Sequence, residues 1–362
     1  LLAPIVLGLV LVGLHWLGVI NAWVFPLFHV GVFCIFGGVS CLITAQVVRR
    51  PVYKRVGNRR RRWYWALALL VLCLNTPAYL LSYHMTHVRT PDQFGIGMPR
   101  PAHTQKPSDR GLSYATRTIP ISQSQWLEVW EINAPIARPN GTVLLFHGNL
   151  ESKSSQLIPP AQSFTELGFN TLLIDFQGGG GSSGDTVTLG INEAKDVVAA
   201  VNYKKEQNIA NGQADSPIVL YGVSMGTAAI LRAISTHQIN PDAIILELPF
   251  VRIVDAIKSR LRYHKILATP IAPLMVFWAS VQHGVNGFGH NPIHYAKSVD
   301  CPTLVIHGAQ DKWTPVSDID ALVNNIPASK QLVISAEAGH HQLIGVDRPL
   351  WDASINNFLN AI

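Results

Sequence analysis

The chain has 362 residues, 48% of them hydrophobic and 14% charged, against about 25% charged in ordinary globular proteins, so a body lying wholly in water is not expected and part of the chain belongs in lipid. The formal net charge of +6 has one address: residues 49–62 hold eight Lys or Arg and no acid, which leaves 20 basic against 22 acidic residues elsewhere and excludes a basic nucleic-acid-binding body there. Cys34, Cys41 and Cys73 fall in apolar segments and Cys301 stands alone, so the polar part has no disulfide framework and cysteine usage does not fix a compartment.

In chain order, residues 1–20 are almost wholly apolar, with His15 as their one titratable group, and residues 24–48 form a second such run. Each is long enough to cross a bilayer core. The chain does not open on methionine, so residues are expected to precede Leu1, and the apolar segments that follow argue against a cleaved signal peptide. Residues 63–81 are a third candidate, flanked by Trp63, Tyr64 and Trp65 at one end and Tyr79 and Tyr83 at the other, with Asn75-Thr76-Pro77 as an interruption. Residues 1–83 are therefore expected to be an integral membrane anchor of about three helices. Its basic loop, 49–62, belongs on the cytoplasmic side, which puts everything after a spanning third segment on the extracytoplasmic face. If that segment lay flat in the interface, the domain would stay in the cytosol.

Residues 84–113 contain Pro91, Pro99, Pro101 and Pro107 with glycine and mixed charge, and read as an extended tether. From residue 114 onward, short apolar or β-rich runs recur at 114–121, 126–132, 142–147, 170–176, 217–221, 243–248, 303–307 and 331–335. Helical stretches at 153–167, 191–207, 225–237, 317–325 and 348–359 separate most of them. Two opening strands followed by strict alternation predict an α/β domain over 114–362, with a mostly parallel sheet covered on both faces.

Within that domain Gly222-Val223-Ser224-Met225-Gly226 reads as a sharp strand-to-helix turn presenting one serine. Glycines stand two residues either side of it because such a turn leaves no room for a β-carbon. A serine nucleophile needs a base and an acid to orient that base. The acid candidates are Asp311, Glu247 and Asp318, and the base candidates are the adjacent His340 and His341. For the developing oxyanion, the backbone N–H of Met225 is one donor and that of Asn149, in the loop after 142–147, the other. His147 reads as a structural member of that loop.

The motifs Phe146-His147-Gly148-Asn149, Asp175-Phe176-Gln177-Gly178 with Ser182-Ser183-Gly184, the serine turn, His307-Gly308-Ala309-Gln310-Asp311 and Ala338-Gly339-His340 occur in that order after the right strands. Residues 114–362 thereby resemble the α/β-hydrolase superfamily, and within it membrane-anchored acyl hydrolases with a short cap, akin to monoacylglycerol lipases and thioesterase-like proteins. The resemblance implies an α/β-hydrolase fold and, from the order Ser, Asp, His, a triad of Ser224, Asp311 and His340 needing no cofactor or metal. The glycines at 179–184 also match a dinucleotide-binding pattern, but no helix opens at once after them.

A cap is expected at about 250–298, basic and aromatic-bearing, and its apolar stretch is broken by Pro270 and Pro273. Leu150, Phe250, Phe277 and Trp278 are the expected substrate-binding side chains. The expected function is a membrane-anchored serine hydrolase of esters or thioesters of small acyl or lipid-like substrates. Its expected partners are the lipid bilayer and that substrate, with no nucleic acid. A peptidase of the same fold and a catalytically silent binding protein at the membrane are the alternatives.

Overall fold

The computed structural model describes residues 58–361, and the chain divides into two units, Leu1–Pro77 and Ala78–Ile362. The expected spans at 1–20 and 24–48 and the first part of the basic loop lie outside the described residues. The third apolar run belongs to one helix, α1, spanning Asn58–Thr86, which opens within the basic cluster and passes the expected end at 81. Pro77 lies inside this helix and removes one backbone donor without ending it. Asn75 Nδ2 donates to the Val71 carbonyl at 2.9 Å, so the expected interruption is absorbed locally. Trp65–Thr86 is long and apolar enough to cross a membrane, and Trp63, Trp65, Leu67, Leu69 and Leu70 are exposed along its first turns.

The second unit opens with the last turns of α1 and a short parallel pair, β1 (Val88–Arg89) with β2 (Met98–Pro99). The stretch expected as a free tether is instead docked on the domain. Its Arg100 guanidinium donates to the carbonyls of Gly179, Ser182 and Gly184, and the N–H groups of Thr104 and Gln105 donate to Ser154 Oγ at 2.9 and 2.8 Å. Proline and glycine erase any periodicity there, and nothing local in the sequence marks an arginine that binds carbonyls some eighty residues away.

The main sheet contains β3 (Ala115–Pro120), β4 (Trp126–Ile132), β5 (Thr142–Phe146), β6 (Asn170–Ile174), β7 (Ile218–Val223), β8 (Ala243–Glu247), β9 (Thr303–Gly308) and β10 (Lys330–Ser335). Their spatial order is β10-β9-β8-β7-β5-β6-β4-β3. β4 is antiparallel to β3 and β6, and the remaining neighbours are parallel. Interleaved are α2 (Ile158–Glu166), α3 (Glu193–Ala210), α4 (Met225–His237), α5 (Ile253–Tyr263), α6 (Ala268–His283), α7 (Pro292–Tyr295), α8 (Val316–Asn324), α9 (Leu343–Val346) and α10 (Arg348–Leu359).

The central strands are buried on both faces, as continuous apolar runs require. Successive side chains of β5 enter opposite cores. Leu144 and Phe146 pack with α3 and α4 residues such as Val197 and Ile230, while Val143 and Leu145 pack with Trp351 and Phe358 of α10. Helices α5, α6 and α7 lie between β8 and β9, the stretch in which a cap is expected. The chain reverses its order across the sheet beside β5, and the carboxyl ends of such strands are where α/β folds hold ligands.

Candidate active site

Ser224 sits between β7 and α4 at φ 50°, ψ −105°, a left-handed pose that a side chain rarely adopts. A β-carbon on Gly222 would stand 2.7 Å from the Gly226 carbonyl carbon, and one on Gly226 would stand 2.5 Å from the Phe146 carbonyl oxygen. Both contacts are with backbone, so glycine is the residue that fits. Leu150, Leu189 and Leu248 also have positive φ and, with Ser224, line the same cavity. Backbone strain is thus concentrated around the serine.

His340 stands between Ser224 and Asp311. Its Nε2 is 3.1 Å from Ser224 Oγ and its Nδ1 is 2.7 Å from Asp311 Oδ2. Asp311 is held in turn by the N–H groups of Trp313 and Thr314, which donate to its Oδ1 at 2.7 and 3.2 Å. Burial by itself would raise the Asp311 carboxyl, but the His340 bond and charge and the Trp313 N–H hold it below the usual carboxylate range. An ionised Asp311 accepts the Nδ1–H of neutral His340, and Nε2 is then free to accept the serine proton. Trp313 packs beside the imidazole, ring centroids 4.4 Å apart. His341 is exposed at the cavity's edge.

The other acid candidates are elsewhere. Glu247 is fully buried, accepts the Leu343 N–H at 2.6 Å and the Trp351 Nε1–H at 3.2 Å, and is bonded by the Tyr221 hydroxyl. Burial pushes its carboxyl up. It is a strut behind the histidine loop, whose Gln342 amide donates to Tyr221 at 2.9 Å. Asp318 lies in the first turn of α8.

For the oxyanion, Met225 opens α4, so its N–H has no intrahelical acceptor. The Gly148 N–H is committed to Gln156 Oε1 at 2.6 Å, and Asn149, the expected second donor, lines the cavity beside Ser224. A β-carbon on Gly148 would be 3.6 Å from Ser224 Cβ, which shows how closely the loop lies against the serine. His147 is buried behind it. Its Nδ1–H donates to the Gly148 carbonyl at 2.7 Å and its Nε2 accepts the Phe176 N–H at 3.1 Å, a neutral tautomer that burial favours.

A cavity of about 760 Å³ opens over Ser224 and His340. Leu81 and Met85 of α1, Ile253 and Ile257 of α5, and Met275 and Val276 of α6 contribute to its wall. Of the expected substrate-binding residues, Leu150 lies on that wall. Phe250 does not, being buried in a satellite cluster with Ala228 and Val276. On α6 the residues facing the cavity are Met275, Val276, Ala279, Ser280 and His283, a helical period that turns the intervening pair elsewhere. Phe277 is accordingly exposed, and Trp278 packs edge-on against Tyr79, centroids 5.3 Å apart. Sequence reasoning missed the end of α1, Arg260 and Trp313. The repeat Ile253, Ile257, Leu261 on α5 was the available signal for an inward stripe.

Outside this site, His103, Glu128 and Asp175 place ligand atoms within 4.8 Å of one another. Their centre is already filled by a cation. The Lys153 ammonium lies 2.8 Å from Glu128 and 3.1 Å from His103 and is paired with Asp175, so this donor set does not fit a metal. His290, spaced like a ligand with His294, is buried and bonded through Nε2 to the Leu189 carbonyl at 2.9 Å.

Residues 137–288 match the profile of a hydrolase family described as serine aminopeptidase, S33. The Bacillus subtilis protein YqkD, uncharacterized, is 26% identical over 229 residues, 63% of this chain and 73% of its own length. Mouse lysophosphatidylserine lipase ABHD12 is 24% identical over 286 residues, 70% of this chain and 64% of its own, so the chain spans a little under two thirds of that lipase. Among solved structures, the Pyrococcus furiosus esterase Pf2001 superposes with a TM-score of 0.59 at 22% identity, covering 73% of this chain and 98% of the esterase, which is a likeness of fold. Sheet order, family profile and relatives together support an α/β-hydrolase superfamily member of esterase- or lipase-like character.

Proposed function

We propose that the chain is a membrane-held acyl hydrolase that cleaves carboxylic ester or thioester bonds of small lipid-like substrates through Ser224, His340 and Asp311. The observation that carries this reading is a single imidazole bonded to both a strained serine and a buried carboxylate at the wall of a largely apolar cavity. As Ser224 Oγ attacks the acyl carbonyl, His340 Nε2 takes its proton and Asp311 stabilises the imidazolium. The N–H groups of Met225 and Asn149 hold the tetrahedral oxyanion. His340 returns the proton to the leaving alcohol or thiol, giving an acyl-enzyme on Ser224. Water, deprotonated by the same ring, then releases the acid. α1 supports residence in a bilayer, since a stretch of some 20 apolar residues with exposed aromatic side chains at one end is stable there. The basic loop that precedes it supports an extracytoplasmic catalytic unit, because short basic loops stay on the cytoplasmic side.

A fluorophosphonate probe tests the chemistry. The wild-type chain is expected to label and the Ser224→Ala chain is not, and equal labelling of both would end the proposal. A panel of acyl esters, thioesters and peptide amides then ranks substrate classes, with amides turned over slowest. A carboxyl-terminal reporter active only in the cytosol would overturn the sidedness.

A further inference from the structure

One face of α5 lines the cavity with Ile253, Ile257, Arg260, Leu261 and His264, the spacing of a single helical stripe. Arg260 is the exception on that face, because a guanidinium among apolar side chains is unfavourable unless a partner compensates it. The outward cations of the same region find a carboxylate, Lys258 at 3.4 Å and Arg252 at 3.9 Å from Asp255. Among the described residues no carboxylate forms an ion pair with Arg260. Its Nη1 donates to the Ala256 carbonyl of its own helix at 3.0 Å, which uses one of five donors. The guanidinium carbon lies 4.4 Å from the centre of the Trp313 ring, and that ring packs on His340. The acids close by are engaged: Glu151, on the cavity wall, accepts from Ser155 Oγ at 2.6 Å, and Asp311 holds His340.

An always-charged, forked donor set is thus held one ring away from the proposed base, and the one acid whose charge acts on it, Asp311, lies beyond ion-pair distance and is engaged by His340. We infer that Arg260 selects substrates carrying a negative charge near the scissile carbonyl, a phosphate or carboxylate on a single-chain acyl compound. The inference rests on the acyl-hydrolase reading of the site and names which acyl compounds it prefers. The planar fork suits bidentate contact with either anion. The apolar walls from α1, α5 and α6 accept the chain.

Binding of lipids that cannot be cleaved tests this without relying on turnover. The full chain in detergent is offered 1-O-hexadecylglycerol, its 3-phosphate and its 3-O-carboxymethyl ether, each displacing a fluorescent fatty alcohol. The phosphate or the carboxymethyl ether should bind roughly tenfold to hundredfold more tightly than the neutral ether, as a charge-assisted pair in a sheltered site implies. Whichever anion binds better identifies the group. Arg260→Gln should bring the anionic and neutral dissociation constants together. Arg260→Lys should keep part of the preference, having charge without the fork. Binding of the neutral ether by each variant reports that the cavity is still formed. Equal affinity of the wild-type chain for neutral and anionic ethers would overturn the inference, as would a preference that survives in Arg260→Gln. Because none of these ethers is an ester substrate at its chain linkage, a failure here is distinct from a failure of the chemistry at Ser224.

Discussion

Replacing Asp311 by Asn tests the proposed triad at its least exposed member, and the hydrogen bonds fix what should happen. Oδ1 of Asp311 accepts two backbone donors, Trp313 at 2.7 Å and Thr314 at 3.2 Å, while Oδ2 faces His340 Nδ1. To keep both backbone bonds, the asparagine must leave its carbonyl oxygen in the Oδ1 position and turn its amino group toward His340. The opposite flip would set that amino group against two N–H donors, at a cost of about 1–3 kcal/mol for each donor left unsatisfied. An amino donor facing Nδ1 drives the imidazole proton onto Nε2. That nitrogen then points a proton at Ser224 Oγ and has no lone pair with which to take one. Asparagine in the equivalent role typically lowers kcat by about 10⁴, or about 5 kcal/mol of barrier at 1.36 kcal/mol per decade. Steady-state hydrolysis of a short-chain p-nitrophenyl ester by wild-type and Asp311→Asn chains measures it, with circular dichroism as the folding control. A variant that folds and keeps more than about a tenth of the wild-type kcat would show that His340 does not depend on this carboxylate.

Lys153 and Asp175 are both buried, and the ammonium also reaches Glu128. Lys153→Met leaves a carboxylate without its cation, so stability should fall by about 3–5 kcal/mol, or roughly 6–20 °C in Tm. A thermal melt displaced by less than about 2 °C would refute that pairing as a stabilising one. Asp196 is buried beside Glu193, and burial first, then that neighbour, push its carboxyl up to about 8 from the ordinary 3.8. A folded value above the unfolded one means that its contribution is present below about pH 4 and is lost as pH rises through 8, so Tm should decline over roughly pH 5 to 9. Asp196→Asn, whose carbonyl can still accept the Gln177 N–H that now bonds Asp196 at 3.0 Å, should flatten that decline, and an unchanged slope in the variant would refute the assignment.

The alternation of elements was legible because buried strands and the helices over them carry different periods, and β4, α4 and α10 begin and end where those periods place them. The serine turn was legible in part for a local steric reason, since Gly222 is demanded by the backbone of Gly226 four residues on, whereas Gly226 is demanded by the Phe146 carbonyl of a distant strand. The choice of Asp311 over Glu247 was not fixed by residue type. Both acids follow parallel strands, and only packing shows that Glu247 is occupied by Tyr221, Leu343 and Trp351. Helices occupy the stretch in which a cap is expected, and which of their side chains face the cavity was not legible. Phe277 and Trp278 differ from Val276 by a rotation of about 100° per residue, and an apolar stretch all round gives no sign of which side meets the cavity.

The sequence by itself determined the α/β architecture and the sharp turn that carries Ser224, because these follow from local sterics and from how apolar residues recur along the chain. Only the tertiary structure decided that residues 98–105 are bound to the domain, that the end of α1 forms cavity wall, and that Arg260 lines the cavity with no carboxylate at ion-pair distance. Those facts depend on groups far apart in the chain meeting in space. Hydrogen bonds and burial between such groups leave no period or spacing in the residues that make them.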